Sequence, residues 1–412
     1  MPASPSTARA INDRLALRLL QQEGPLTAGR LKQLTGLSRP TVADLVERLT
    51  ASGLITVVGE SGEVRRGPNA RLYGIVADRA HLAALDVRTE GVFVLVSDLV
   101  GRVLAETSVP IGEDTRTGPA VEAVVAAVER TAKEAGSMVV PSHEDVRAWG
   151  RVHTVGIGAP GLIDPATGDL RDSGGLPAWH RRLASALRER LPGARITVEN
   201  ETNLAAVAEQ REGAAHDRDT FVLLWLGHGV GAAVVLDGAL RRGASGGTGE
   251  IGFLPVPGTA CLPSATDCDG GFHSLAGAAA IGALAAECGL PVPDAAMDGP
   301  GAAQTVLGAV TRAAAAPGGN ADRFLDALAD RVAVGAASVA AILDPGCVVL
   351  GGEIGQAGGP ALAVRVEDRL RRMSPLVTEV RPSSLGGTAV LRGALLTARE
   401  RAQDELFAPP ER

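Results

Sequence analysis

Apolar positions recur at helical spacing in three segments near the start of the chain. The first, residues 10–22, carries an apolar stripe that consists of Ile11, Leu15 and Leu19. A second, short helix is predicted after Thr27, whose hydroxyl can cap its first turn. A third follows Ser38, with Pro40 in its first turn, and its i, i+3, i+4, i+7 pattern predicts a buried face of Val42, Leu45, Val46 and Leu49. Two short helices after a longer one, joined by a tight turn, indicate a helix-turn-helix.

The pattern after Gly53 predicts two strands, 54–58 and 71–75, with a basic tip at 63–70 between them. This is a winged helix-turn-helix, to which we assign residues 1–76. The start of a recognition helix reaches base edges in the major groove, and a basic wing suits phosphates or the minor groove. The residues expected to contact DNA are Ser38, Arg39, Pro40, Thr41, Asp44, Arg65, Arg66, Asn69 and Arg71. A small helical protein-interaction module with a solvated basic loop is the alternative.

The pattern becomes strand-like after residue 80. Three strands, a helix and a further strand are predicted at 82–87, 92–96, 103–109, 119–136 and 153–157. A similar hairpin unit recurs at 220–226, 232–236 and 239–243. Two halves that each open with such a hairpin are typical of the ribonuclease-H-like fold of sugar kinases and actin. We therefore predict an α/β protein that joins the winged helix-turn-helix to a two-lobed ribonuclease-H-like body. Its lobes are assigned to residues 77–205, completed by a C-terminal helix at 388–412, and to residues 206–387.

Charge is distributed unevenly between the two parts. The net charge is −7, yet residues 1–75 contain ten Arg and Lys against six Asp and Glu. A basic head on an acidic body suggests that only the head meets a polyanion. Four cysteines and the lack of a basic and apolar leader favour a reducing cytoplasm. The longest apolar run, 332–343, is about half of a membrane span, so we expect a soluble, cytoplasmic protein without a membrane partner.

Five motifs occur in an order that resembles the ROK family of repressors, open reading frames and kinases. They are Gly-Ala-Pro-Gly-Leu-Ile-Asp at 158–164, Val-Glu-Asn-Glu-Thr-Asn at 198–203, Gly-Gly-Thr-Gly-Glu-Ile-Gly at 246–252, Leu-Asp-Pro-Gly-Cys-Val-Val-Leu-Gly-Gly at 343–352 and Arg-Gly-Ala-Leu-Leu-Thr-Ala at 392–398. The resemblance extends from the head to the C-terminus. Family members with a winged head resemble transcription regulators, and those without one are mostly sugar kinases.

The resemblance implies a damaged nucleotide site. Kinases of the family carry an Asp-x-Gly-Gly-Thr-like turn, whose glycines admit phosphates and whose aspartate helps to place magnesium. Here Asp86 is retained, but Arg88 replaces a glycine and Glu90 adds negative charge. We therefore expect no ATP cofactor, although an arginine can in principle pair with a phosphate.

The same comparison implies a sugar site without a catalytic base. Glu201 stands where the kinases have the aspartate that takes the sugar hydroxyl proton, on a side chain longer by one methylene. Because a displaced base loses much of its effect, we assign no catalytic residue and treat Glu201 as the degenerate base position. The predicted ligand-binding residues are Gly161, Asn200, Glu201 and Glu250. An acid that merely stabilises a helix N-terminus is the alternative for Glu201.

A structural zinc ion is typical of the family but is not expected here. Phe253 occupies the position of the histidine ligand. Asp267, Asp269 and Ser274 replace the three cysteines, and Ala276 replaces a sugar-binding glutamate. Structural zinc sites need four nitrogen or sulfur donors with few exceptions. The alternative is a rebuilt site that consists of Cys261, Cys268 and His273.

These observations predict a DNA-binding transcription regulator, a repressor, that reads a palindromic operator on double-stranded DNA as a homodimer or higher oligomer. Its kinase-like body would bind a sugar or sugar-derived effector without catalysing a reaction. Two alternatives remain. One is an active ATP-dependent sugar kinase with a DNA-binding head, and the other is a DNA-binding regulator that responds to no ligand.

Overall fold

The computed structural model describes residues 5–61, 70–112, 114–136, 152–171, 176–264, 269–292 and 298–408. Within these ranges the chain forms a small winged head and a body with two five-stranded sheets. This architecture confirms the predicted fold class. No helix among the described residues combines the length and the apolarity that a membrane span requires.

The head consists of three helices and a three-stranded sheet. In chain order these are α1 (Pro5–Glu23), β1 (Leu26–Thr27), α2 (Ala28–Thr35), α3 (Arg39–Ala51), β2 (Ile55–Glu60) and β3 (Arg71–Ile75), and the strand order is β1-β3-β2. The predicted caps are confirmed. Thr27 Oγ1 accepts a hydrogen bond from the Arg30 amide at 3.1 Å, and Ser38 Oγ accepts one from the Thr41 amide at 3.3 Å. The predicted apolar face of α3 is buried.

Two of the three residues in the apolar stripe predicted for α1 do not face the core, whereas Leu19 is partly buried and packs against it. Ile11 and Leu15 are 58% and 39% exposed, whereas the buried residues of this helix are Ala16, Leu17 and Leu20. These three belong to a hydrophobic cluster that also contains residues of the body, namely Leu99 and Ala402. Partners distant in the sequence therefore fix the orientation of α1, and a local pattern does not contain that information.

The first body sheet consists of β4 (His81–Arg88), β5 (Gly91–Asp98), β6 (Val103–Pro110), β7 (Val152–Ala159) and β8 (Arg195–Asn200). The strand order is β6-β5-β4-β7-β8, with antiparallel hairpins and with β7 parallel to β4 and β8. Helices α4 (Thr117–Glu134) and α5 (Ala178–Arg190) share a hydrophobic cluster with one face of this sheet. Helix α6 (Glu201–Glu212) begins directly after β8.

The second body sheet repeats this topology. Its strands are β9 (Phe221–Leu226), β10 (Val230–Leu236), β11 (Ala239–Arg241), β12 (Cys347–Gly351) and β13 (Glu379–Pro382), in the order β11-β10-β9-β12-β13. Its helices are α7 (His273–Ala276), α8 (Ala278–Glu287), α9 (Gly299–Ala315), α10 (Asn320–Leu343) and α11 (Gly352–Met373). The repeat confirms the predicted pair of ribonuclease-H-like units.

Helices α6 and α12 (Ala389–Leu406) lie between the two sheets. α12 packs on β4 and β7, and α6 packs on both α12 and β10. The two helices approach closely at Gly393, because a Cβ atom there would overlap the carbonyl oxygen of Leu204. α12 therefore covers the first sheet, in line with the helix predicted to complete the first lobe. The bounds of the three domains stay predictions.

Candidate ligand cleft and nucleic-acid interface

Asn200 organises the junction between β8 and α6. Its Oδ1 accepts hydrogen bonds from the amides of Thr202 and Asn203, at 2.8 and 3.3 Å, and so caps α6. Its Nδ2 donates to the Gly161 carbonyl at 3.1 Å and to Glu201 Oε2 at 3.0 Å. These bonds use all four hydrogen-bonding positions of the side-chain amide. Asn200, oriented by the Gly161 carbonyl, therefore holds Glu201 in place, and its side-chain amide keeps no spare position for a ligand.

Glu201 is partly buried at the N-terminus of α6. Burial raises its pKa to about 8, and the negative charges of Asp86, Glu250 and Glu353 add to the effect. The carboxyl is therefore mostly protonated at neutral pH and can donate a hydrogen bond as well as accept one. A general base must first lose its own proton, so this environment favours ligand binding over proton abstraction at neutral pH.

The two lobes touch beside this junction. A Cβ atom at Gly246 would overlap the Ile163 carbonyl oxygen, and one at Gly247 would lie 3.3 Å from Leu162. Glycine therefore permits the loop of the second lobe, which carries Glu250, to lie against the loop that follows β7. The charges of Glu250 and Glu201 are close enough to interact. The structure thus brings together the four predicted ligand-binding residues.

A salt bridge that the sequence did not suggest joins the lobes at the same place. Arg242 Nε donates to Glu199 Oε2 at 2.6 Å, from the segment after β11 to the end of β8. Glu199 Oε1 accepts from Asn203 Nδ2 at 3.0 Å and from the Asn200 amide at 3.1 Å. Glu199 therefore connects the second lobe to the first turn of α6. In the sequence, the only indication of this salt bridge was the acidic residue next to Asn200.

Arg88 fills the turn at the end of β4. Its Nε and Nη2 donate to Asp86 Oδ2 at 3.0 and 2.7 Å, and Nη2 also donates to the Gly387 carbonyl at 2.9 Å. The guanidinium carbon lies 4.6 Å from the centre of the Phe93 ring. Asp86 is buried, with 2% exposure. A phosphate at this turn would have to compete with Asp86 for Arg88.

Glu353 adds a further carboxyl to the same region. It lies at the start of α11, and a Cβ atom at Gly227 would come within 2.6 Å of its Oε2. Burial raises the pKa of Glu353, Arg88 lowers it, and Glu90 and Asp86 raise it further. The negative charges around Arg88 oppose the binding of a polyanion such as a triphosphate. The sequence placed Gly351 and Gly352 in a motif but gave no role to the glutamate that follows.

At the positions that correspond to the zinc site of the ROK family, the described residues make an aromatic contact. Phe253 lies edge-on to His273, with ring centres 5.3 Å apart. His273 Nδ1 accepts a hydrogen bond from the Val230 amide at 3.1 Å, and its other side lies against Gly252. Among the described residues, no group of three or more His, Cys, Asp or Glu could hold a metal ion. These residues do not fit the family's zinc site. Asp267 and Cys268 lie outside the described ranges.

The start of α3 forms the candidate DNA-facing surface. Ser38, Arg39 and Pro40 are exposed, and the hydroxyls of Ser38 and Thr41 lie 2.8 Å apart. Asp44 pairs with Arg48, one turn along the helix. Arg71 is exposed at the start of β3, opposite Glu60. The remaining predicted contacts, Arg65, Arg66 and Asn69, lie outside the described residues.

Comparisons with known sequences match the head and the body to two different families. The ROK family profile matches residues 98–401, and the MarR family profile matches residues 11–67. The xylose repressor of Caldicellulosiruptor bescii is 25% identical over 252 residues, which cover 60% of this chain and 59% of that repressor. The chain thus aligns with about six-tenths of that relative's length.

Solved structures give the same result for the fold. A ROK family transcriptional regulator, described as a homolog of the E. coli MLC protein, superposes with a TM-score of 0.73 at 22% identity, over 97% of this chain and 98% of that one. A ROK hexokinase from Thermus thermophilus gives a TM-score of 0.61 at 28% identity, over 79% of this chain and 99% of that one. Since the family profile covers 98–401 and the body has the matching fold, the chain belongs to the ROK family.

Proposed function

We propose that this protein is a DNA-binding transcription regulator, a repressor, whose body binds a sugar or sugar-derived effector and has lost catalysis. One observation carries the proposal. A winged head, with the first residues of its recognition helix exposed, precedes a ROK body in the same chain. A relative of similar sequence is named a xylose repressor.

On the DNA side, α3 would enter the major groove with Ser38, Arg39 and Thr41 towards the bases. Arg71, together with Arg65, Arg66 and Asn69, would contact the backbone or the minor groove. Two heads on a homodimer would read a palindromic operator, whose half-sites are spaced by helical turns.

On the effector side, Glu201 and Glu250 would contact hydroxyl groups of the ligand, while Asn200 and Gly161 hold Glu201 in position. A protonated Glu201 can donate to one sugar oxygen and accept from another. Binding would change the relation of the two lobes, and DNA affinity would follow the effector's preference between the two states.

A sugar kinase with an added head is the second candidate. The hexokinase-like fold and a carboxyl at the position of the base favour it. The ion pair between Arg88 and Asp86, in the turn at the end of β4, counts against it because a phosphate would have to compete for Arg88. A coupled assay for ADP release, with ATP, magnesium and a panel of sugars, separates the two candidates. We expect no release above background, also for Glu201→Asp, because Arg88 remains.

The proposed function is tested by selecting genomic DNA fragments with the purified full-length protein at moderate salt and without ligand. We expect an enriched palindrome, and Arg39→Ala should enrich a less specific set of fragments. No enrichment, even at low salt, contradicts the proposal. A sugar panel is then screened by melting temperature, and a panel without any shift favours a regulator that responds to no ligand.

A further inference from the structure

Two adjacent residues of α1 make ion pairs with different parts of the molecule. Asp13 accepts hydrogen bonds from Arg48 of the recognition helix, at 2.6 and 3.4 Å. Its neighbour Arg14 pairs with Asp404 near the end of α12. Arg48 also pairs with Asp44, on the exposed face of the recognition helix. A short chain of charged groups therefore leads from α12 through α1 to the helix that would read DNA.

A pair of glutamines strengthens the contact between α1 and α12. Gln403 Nε2 donates to Gln21 Oε1 at 2.7 Å and to the Leu99 carbonyl at 3.0 Å. Gln21 Nε2 donates in turn to the Val100 carbonyl at 3.1 Å. The glutamines are only partly exposed, whereas Arg14 and Asp404 are 44% and 50% exposed and contribute little alone. The glutamines, more than the ion pair, hold the head against the turn between β5 and β6.

Helix α12, which contacts the head through Gln403, also packs on the helix that begins at the ligand cleft. α6 begins with Glu201 and packs on α12, where Gly393 meets the Leu204 carbonyl. At the other end of α6, Glu209 is fully buried. Its carboxylate accepts hydrogen bonds from the amides of Ser384 and Leu385, both at 3.2 Å, in the segment before α12. α6, this segment and α12 are thus bonded into one unit that reaches from the cleft to the head.

We propose that Gln21, Gln403 and the Asp13–Arg48 pair are positioning residues that set the recognition helix according to the state of the cleft. The inference rests on the proposed function, since it requires DNA on one side and an effector on the other. A shift of α6 relative to the first sheet would move α12, and the two glutamines would pass that movement to α1. Asp13 would then carry it to α3.

Linkage makes the inference testable without knowing the effector. If the state of the cleft changes DNA affinity, then DNA must change the cleft by the same free energy. DNA bound to α3 is therefore expected to alter amide exchange in α12 and at the start of α6, on the far side of the glutamine pair.

The experiment is hydrogen–deuterium exchange of the full-length protein, with and without the DNA fragment selected above. We expect slower exchange in α3 and also in 399–406 and 201–209, by about 5- to 100-fold for a coupling of ordinary size. The double variant Gln21→Ala/Gln403→Ala should keep the slowing in α3 and its DNA Kd within about twofold, and lose most of the slowing at 201–209. Gln22→Ala, an exposed neighbour with the same substitution, is the matched control.

Three results are decisive. Slowing at 201–209 that persists in the double variant overturns the role of the glutamines, as does wild-type protein in which DNA protects α3 alone. If no fragment binds and α3 stays unprotected, the proposed function fails, and the inference fails with it. The single variant Gln21→Ala, which removes the same glutamine–glutamine bond, covers the case in which the double variant does not fold. It should also lose most of the slowing at 201–209, and full slowing in this variant overturns the role of the glutamines.

Discussion

The carboxyl of Glu201 takes up a proton when the chain folds, because its pKa rises from an ordinary value near 4.5 to about 8. A raised carboxyl pKa means that the folded state binds more protons than the unfolded state between these values. Ionisation of the buried carboxyl therefore destabilises the folded state. This loss of stability is absent below the pKa of Glu201 in the unfolded chain, grows as pH rises, and is complete above its pKa in the folded protein. The free energy of unfolding should therefore fall between about pH 5 and pH 8 through this group.

Replacement of Glu201 by glutamine should remove this part of the pH dependence, since an amide has a similar shape and does not titrate. At pH 5 the two proteins should melt at similar temperatures. At pH 8 the variant should melt higher, by about 1 °C for each kcal/mol gained in a chain of this length. Scanning fluorimetry of both proteins from pH 5 to 8.5 measures the difference, and parallel curves would contradict the raised pKa.

Arg88 neutralises the buried carboxylate of Asp86, so its removal should lower the free energy of unfolding. Arg88→Ala leaves Asp86 without its partner and should destabilise the protein by about 3 kcal/mol, as for other broken buried pairs. Asp86→Asn/Arg88→Ala should recover much of this loss, because no unpaired charge remains. Urea denaturation of the two single variants and the double variant gives the coupling energy. Additive effects of the two changes would show that the pair does not matter.

At the scale of secondary structure, the packing of α6 on α12 depends on one missing side chain. Gly393→Ala places a methyl group against the Leu204 carbonyl and forces the helices apart. We expect a loss of about 1–3 kcal/mol, typical of overpacking, and a weaker coupling between DNA and the cleft. Gly387→Ala is a suitable control, since a Cβ atom there would meet nothing within 4 Å. Equal stability of the two variants in urea would refute the close approach.

The sequence predicted these elements well where the signal is local. The caps Thr27 and Ser38 and the buried face of α3 depend on neighbouring residues, and all were correct. The predicted stripe of α1 was wrong for Ile11 and Leu15, because partners distant in the sequence, such as Leu99 and Ala402, set the orientation of the helix. In the cleft, too, only local features could be predicted, and the sequence motifs were found in the expected order. The bonds of Arg88 to Gly387 and of Arg242 to Glu199 join segments that are distant in the sequence, so no local pattern encodes them.

At the scale of the whole molecule, a basic head is attached to an acidic body. Residues 1–75 carry ten basic and six acidic side chains, and the remaining residues carry 30 and 41. The body should repel DNA, so affinity depends on a few contacts of the head and falls steeply with salt. A ROK transcriptional regulator and a ROK hexokinase both superpose on this chain, so the body fold alone does not separate the two functions, and the head and the cleft residues must be considered.

Arg39 and Arg71 should separate the two kinds of contact that such a head makes. Arg39, at the start of the recognition helix, is placed to read bases, and Arg39→Ala should cost about 1–3 kcal/mol on the selected fragment while it relaxes the preferred sequence. Arg71→Ala should weaken all fragments alike and reduce the slope of log Kd against log salt by about one per head. Arg401→Ala, an exposed arginine of the body, should change neither property. Fluorescence anisotropy over a salt series measures both. If Arg71→Ala left the slope unchanged, Arg71 would not contact a phosphate, and this assignment would be wrong.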